Sequence, residues 1–343
     1  VVKAAVGIKE FYLLTHNPVM HWTEVWFEDD PKSVLIRTVL IPASWLYTIG
    51  WNTYLALYRL KLKRPKRPHS PVLCVGNLTV GGSGKTPMTV HIAQVLAGMG
   101  NEVVISCSGY GSEASAEATV APEGPLSAER WGDEAALLRW LLPAVPLVVG
   151  RNRVRAAELV TKNYPAAIML MDDGFQHLPL HKNISILMDW PTVNHHCLPA
   201  GPYREPVSHR SRGDLVLPGK FDVDTLPFAL IDATERVVIN PVKANVLCAL
   251  GSPEKFLEAL RKNGIKLGKI ELRPDHAPLR EGNLFDGFPA NEPLVVTEKD
   301  WVKIRERSDL ANRKIFVVRH GVRVSPEADF AAWLRQKLNE IKT

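Results

Sequence analysis

Gly81-Gly82-Ser83-Gly84-Lys85-Thr86 is the sharpest grouping of chemistry-bearing residues in the chain. It follows a short apolar run, PVLCVG at 71–76, and precedes an apolar-periodic stretch at 86–99. A glycine-rich turn between a strand and a helix can wrap phosphate groups in backbone N–H donors. Lysine then adds a mobile positive charge, and the threonine hydroxyl can ligate Mg2+. ATP or GTP binding is therefore expected through Thr79, Gly81, Gly82, Ser83, Gly84, Lys85 and Thr86. Thr79 stands where the strict GxxxxGKT pattern has its first glycine, and GKT itself is intact.

Other candidates lie at the ends of apolar runs. Asp172 and Asp173 close AAIMLM at 166–171, where a carboxylate beside a phosphate loop holds Mg2+ or its water shell, or is simply a solvated strand end. With Thr86, Asp172 makes the expected metal pair, and Gln176 and His177 follow at the same rim. Asp133 opens the helical run at 133–142, and taken alone it reads as an ordinary N-cap sooner than as a catalytic group. Arg151 and Arg153, just past VPLVVG, are phosphate-facing candidates or surface charges. His276 sits in the polar turn Arg273-Pro274-Asp275-His276, and the adjacent His195-His196 lack a third ligand at zinc spacing.

The elements that must position these groups alternate. VVISCS at 103–108, VPLVVG at 145–150, AAIMLM and ISILMD at 184–189 read as buried strands, with helical patterns at 133–142 and 151–162 between them. The expected class is α/β, a P-loop NTPase-type mostly parallel sheet flanked by helices. A smaller C-terminal α/β lobe and an N-terminal membrane-associated helix complete it. Three regions follow: 1–70 with a basic cluster, 71–220 as the nucleotide-binding core, and 221–343 as a lobe contributing His276 and closing the cleft. Residues 112–130 read as a surface excursion, and 190–220, rich in proline, as a long functional loop. PLVVTEKD at 293–300 reads as part of a further set of strands.

Composition narrows the class. The 343 residues are 46% hydrophobic and 23% charged, which excludes wholesale disorder and collagen-like repetition. Four well-separated cysteines without CxxC argue against a disulfide scaffold. Residues 38–58 carry no charge and are crowded with Trp and Tyr; as a helix at ~1.5 Å per residue they would match a hydrocarbon core of roughly 30 Å. RLKLKRPKR at 59–67 follows with six basic residues. An aromatic apolar segment beside a basic cluster reads as an anchor at an anionic membrane surface, spanning or lying flat. The same adjacency argues against nucleic acid, because the cluster abuts an aromatic apolar segment rather than separated base-stacking platforms or a groove-reading helix.

Taken together, SWLY at 44–47, LKLKR at 60–64, VGNLTVGGSGKTP at 75–87, SGYG at 108–111, GDE at 132–134 and GRNRVRAA at 150–157 resemble one family. DDGFQH at 172–177, LPAGPYREP at 198–206, GSPEKF at 251–256, PDH at 274–276 and TEKD at 297–300 continue the match in order. The chain resembles the tetraacyldisaccharide 4′-kinases of lipid A biosynthesis.

The resemblance implies an ATP-dependent, Mg2+-requiring phosphotransferase at the cytoplasmic face of a Gram-negative inner membrane. It would phosphorylate the 4′-hydroxyl of a tetraacylated glucosamine disaccharide 1-phosphate to give lipid IVA, with no obligate protein partner. By matched motif, Lys85 and Thr86 look like the phosphate and Mg2+ residues. Asp133 would activate the sugar hydroxyl with His276 as partner, and Asp172 and Asp173 would organise Lys85, metal and acceptor. Gln176, His177, Glu205 and Arg151 are the implied substrate-binding residues. The chain departs from the family pattern at Ser108, where an arginine is usual, and at Asn152, where an aspartate is usual. A P-loop ATPase that drives membrane positioning is the rival reading, and it leaves LPAGPYREP and the PDH turn without work.

Overall fold

The computed structural model describes residues 22–232, 236–238, 240–251, 253–275, 277, 279–280, 282–310 and 312–342. The apolar run VLCVGN forms β1 (Val72–Asn77), with all six residues buried. Strands this uniformly apolar need cover on both faces. The cover comes from helices α3 (Lys85–Gly98), α5 (Asp133–Leu141) and α6 (Arg153–Asn163), interleaved with β2 (Val103–Cys107), β4 (Leu147–Val149), β5 (Ile168–Asp172), β6 (Ile184–Met188) and β7 (Leu215–Leu217). The spatial order is β3-β4-β2-β5-β1-β6-β7, parallel except for the edge strand β3 (Thr119–Val120).

The chain leaves β1 and returns two places away at β2, passing over the position later filled by β5. The carboxyl end of β1 is thus a crevice between outgoing connections, where open α/β sheets place their ligands. In register, Val75 of β1 stands opposite Asp172 of β5. The carboxylates that end β5 are therefore set beside the glycine-rich loop that leaves β1.

A second sheet has the order β10-β9-β14-β13-β11-β12. Its parallel strands are β11 (Lys243–Cys248), β12 (Lys266–Leu272), β13 (Leu294–Thr297) and β14 (Ile315–Arg319), while β9 (Ala229–Asp232) and β10 (Val237–Val238) run antiparallel. PLVVTEKD, expected among the second set of strands, supplies one and then splits. The strand stops at Thr297 and EKDWVKI becomes helix α8 (Glu298–Ile304). Thr297 causes the change as N-cap, its hydroxyl accepting the Asp300 N–H at 3.1 Å.

The first sheet and the C-terminal elements share one compact unit, residues 61–77, 81–190 and 210 onward. The ribbon of β8 (Asp222–Thr225) and β15 (Val322–Ser325) joins them, its Val324 N–H donating to His91 Nε2 of α3 at 3.1 Å. His91 stacks on Phe330 of α9 (Glu327–Lys342), and burial holds its imidazole below the usual pKa. Residues 112–130 are less superficial than their small, polar composition suggests. They supply β3, the short helix α4 (Ala128–Trp131) and the buried Ala121, Leu126 and Ala128 of the main core.

The other unit joins residues 78–80 and 191–209 to two helices, α1 (Trp22–Phe27) and α2 (Pro31–Arg59). Asp30 caps α2, accepting from Lys32 and Ser33 N–H at 3.0 and 3.2 Å, with Pro31 at the first helical position. The polarity of α2 is reversed relative to a water-facing helix. Its small and polar residues turn toward the 191–209 segment: Ser44 donates to the Cys197 carbonyl at 2.6 Å, Tyr47 to the Arg204 carbonyl at 2.7 Å, and Asn52 meets His209 at 2.9 Å. Leu35, Val39, Trp45, Leu46 and Ile49 are instead exposed. Among the described residues α2 is the one helix long and apolar enough to cross a membrane.

Candidate active site

The loop 81–84 enters α3 through Gly84, whose φ of +80° glycine adopts without steric cost. Lys85 is the first helical residue. Its Nζ lies 3.5 Å from Asp173 Oδ2 and 3.4 Å from Ser83 Oγ, which also accepts from Asn77 Nδ2 at 2.8 Å. The Trp190 indole N–H donates to the Ser83 carbonyl at 3.1 Å, tying the loop to the end of β6.

Thr86 and Thr89, one helical turn apart, both face Asp172. Thr86 Oγ1 donates to Oδ2 and Thr89 Oγ1 to Oδ1, each at 2.9 Å. Asp172 is 2% exposed, and burial pushes its carboxyl up to about 6, helped by the charges of Glu134 and Asp173 and opposed by the two hydroxyl donors. Asp173 holds a left-handed φ of 51°, uncommon outside glycine, which turns the chain sharply at the strand end. Arg153 fixes that turn from below. It is 3% exposed and donates to Ser106 Oγ at 3.1 Å and to the Asp172 carbonyl at 2.8 Å.

Among the described residues no group of three or more His, Cys, Asp or Glu side chains could hold a metal ion. Mg2+ does not require one, since it commonly takes one or two protein oxygens, substrate phosphates and water. Thr86 fits that pattern: its hydrogen is committed to Asp172, which leaves its oxygen lone pairs for a cation.

The remaining candidates separate by surroundings. Gln176 donates to the Asn77 carbonyl at 2.8 Å, so its amide braces the end of β1. His177 is half-buried, its Nε2 has no hydrogen-bond partner, and burial together with Lys182 and Arg153 pulls it down to about 4. Asp133 is not an N-cap. Gly132 takes that position with φ +88°, packed so closely that an added Cβ would stand 3.1 Å from the Gly109 carbonyl carbon. The Asp133 carboxylate meets Lys303 Nζ at 3.3 Å. Next to it, Glu134 accepts the Ser108 hydroxyl at 3.2 Å, so a neutral donor stands where the resemblance expects an arginine. Asn152 caps α6, accepting from the Arg155 N–H at 3.1 Å.

Lys85, Thr86, Asp172, Asp173 and Gln176 thus converge at one end of the first sheet. Arg151 is exposed over the Tyr110 ring at 5.4 Å. Glu205 and Thr79 belong to the unit that contains α2. Glu205 is fully buried and paired with His209 Nδ1 at 2.9 Å, and Thr79 is bridged to Tyr203. His276 lies outside the described residues.

Comparison with known proteins decides what this arrangement belongs to. A family model described as tetraacyldisaccharide-1-P 4′-kinase matches residues 36–339. The chain belongs to the tetraacyldisaccharide-1-P 4′-kinase family. It is 32% identical to the tetraacyldisaccharide 4′-kinase of Pelobacter propionicus, over 89% of this chain and 93% of that one. The corresponding protein of Shewanella sp. strain ANA-3 is 31% identical, over 89% and 92%. A crystal structure of LpxK from Aquifex aeolicus in complex with ATP superposes with a TM-score of 0.76 at 26% identity, covering 88% of this chain and 99% of that one. The reaction of tetraacyldisaccharide-1-P 4′-kinases is ATP-dependent 4′-phosphorylation of the tetraacyldisaccharide 1-phosphate, toward lipid IVA.

Several residues of this kinase site escape a reading of the sequence. Arg153 and Arg151 are indistinguishable as neighbouring arginines, and only burial separates them. Thr89 was hidden as one more polar position on a helix. Lys303 reads as an exposed charge, although the apolar Trp301, Val302 and Ile304 around it were a usable sign of burial.

Proposed function

We propose that this chain performs the 4′-phosphorylation with Lys85 and Thr86 at the phosphates of ATP, Mg2+ at Thr86, and Asp133 as the acceptor of the sugar hydroxyl proton. The observation that carries the reading is the double tie between loop and strand: Thr86 to Asp172 and Lys85 to Asp173. An ammonium held by a single carboxylate at 3.5 Å can exchange that partner for a phosphate without losing its place. When bound, Mg2+ would be held by Thr86 and would help neutralise the charge that develops on the phosphates.

In the transfer itself the 4′-oxygen bonds to the γ-phosphorus, the bond to the β,γ-bridging oxygen breaks, and the hydroxyl proton passes to the Asp133 carboxylate. Such a reaction draws most of its rate from alignment and charge compensation. Asp172 contributes by orienting Thr86, and Arg153 by fixing the turn that carries both aspartates. Gln176 holds the end of β1 beneath the loop, and Glu205, through His209 and Asn52, ties the LPAGPYREP segment to α2. His276 is proposed as the partner of Asp133 on sequence grounds.

The acceptor carries four acyl chains, and at ~0.8 kcal/mol per exposed CH2 it stays in the bilayer. The outward apolar side of α2 and the exposed cations from Arg59 to Arg67 suit an anionic cytoplasmic leaflet, where ATP is available. The test is transfer from γ-labelled ATP to detergent-dispersed tetraacyl-glucosamine disaccharide 1-phosphate, with Mg2+ or EDTA, for the native chain, Lys85→Met and Asp133→Asn. Mg2+-dependent labelling of the lipid, lost in both variants, is the expected result. Hydrolysis of ATP at the same rate with and without acceptor would overturn the reading.

A further inference from the structure

Lys303 is 4% exposed, a state lysine rarely occupies unless its charge is paired. Its Nζ lies 3.3 Å from Asp133 Oδ2 and 3.5 Å from the carbonyl of Ala277, the residue that follows His276 in the chain. The ammonium is delivered by a rigid frame. At the start of α8, Asp300 Oδ2 accepts from Thr297 Oγ1 at 2.7 Å and from the Ala249 N–H at 3.1 Å. One turn on, Lys303 leaves the same side of the helix. Beyond it, Arg305 donates to the Leu126 carbonyl at 2.8 Å, fixing α8 against the segment that leads into α4 and α5. TEKDWVK therefore builds a strut from the second sheet to the first residue of α5.

We propose that Lys303 is a positioning residue for the phosphoryl transfer, holding the Asp133 carboxylate aimed through their ion pair. This rests on Asp133 being the group that takes the hydroxyl proton. Anchoring Oδ2 through the ion pair restricts rotation of the carboxylate. Such anchoring matters most where the transition state is loose and alignment dominates. The strut also gives the second sheet a part in catalysis: a displacement of α8 is felt at the proton acceptor.

The test uses the full chain in detergent with native enzyme, Lys303→Met, Lys303→Gln, Lys303→Arg and Asp133→Asn. The neutral variants should lose ~30-fold or more in kcat while KM for ATP and for lipid stay within ~3-fold, and Lys303→Arg should recover most of the loss. Melting curves run alongside separate this from a failure to fold. Native kcat in either folded neutral variant, or kcat, both KM values and melting temperature all degraded with no recovery by arginine, would overturn the proposal. Failure of both neutral variants to fold would assign Lys303 to stability and overturn it as well. An Asp133→Asn enzyme with native kcat would instead remove the reading of Asp133 on which the proposal stands.

Discussion

Asp172 receives a hydroxyl hydrogen on each of its oxygens, from Thr86 and from Thr89 at 2.9 Å, so its orientation is fixed from α3 before any ligand arrives. Thr86 is the partner at the loop. Thr86→Val should lower kcat by ~10²–10³-fold, the usual scale for losing one electrostatic contact at a reacting group, whereas Thr86→Ser should stay within ~10-fold. The dependence of rate on Mg2+ concentration checks the assignment, because Thr86→Val should need more metal and Thr86→Ser should not. An unchanged Mg2+ requirement in the valine variant would place the cation elsewhere.

The two arginines after β4 should behave oppositely. Arg153→Met strands the Asp172 carbonyl and Ser106 Oγ, and the loss of buried hydrogen bonding should cost about 1–3 kcal/mol in denaturant unfolding. Arg151→Met removes an exposed side chain and should leave unfolding within about 0.5 kcal/mol of native. If Arg151 binds the acceptor, its variant raises KM for the lipid and leaves KM for ATP alone.

This pair also marks how far the sequence can be read. The strands, the phosphate loop and the aspartates that end β5 follow from apolar runs and glycine placement, and a parallel sheet that sets β5 beside β1 does the rest. Periodicity cannot say which of two arginines, two residues apart, turns toward the sheet. Nor does it show that Glu205 and His209, four apart in GPYREPVSH, spend their polar groups on each other and on Asn52. Lys303 was invisible for a related reason: charge reads as exposure unless the partner is known, and its partner lies on another element. Residues 112–130 read as surface because they are small and polar, yet Leu126 and Ala128 among them are buried.

Stability should carry a distinct pH signature from Glu298. It is 7% exposed, and burial pushes its carboxyl from 4.5 up to about 7, with Arg319 at 3.6 Å opposing the shift. The folded state then holds a proton that the unfolded chain releases, so this group's contribution is full below about 4.5 and is lost as pH rises through about 7. At about 1.4 kcal/mol for each pKa step, the loss amounts to up to about 3 kcal/mol. Glu298→Gln should flatten the difference in unfolding free energy between pH 5 and pH 8, conditions chosen to bracket the transition at roughly these values. An identical pH slope in native and variant proteins would refute the assignment.

Membrane attachment should depend on the outer side of α2. Leu46 and Ile49 are 72% and 59% exposed, and burying such side chains in hydrocarbon contributes about 1.5–3 kcal/mol each. The double replacement by serine should weaken cosedimentation with anionic vesicles by at least ~10²-fold and leave the melting temperature of the protein in detergent unchanged. Retained sedimentation would shift the attachment to another surface.

The inner side of α2 has a consequence of its own. Hydrocarbon packing between a helix and its support loses its driving force once lipid surrounds them, because acyl chains solvate leucine as well as another leucine does. The seam between α2 and the 191–209 segment depends on that force least where Ser44, Tyr47 and Asn52 bind the Cys197 carbonyl, the Arg204 carbonyl and His209. Polar joints of this kind keep their strength, or gain some, when water is withdrawn. The helix can therefore be surrounded by lipid tails and remain fastened to the segment that carries LPAGPYREP.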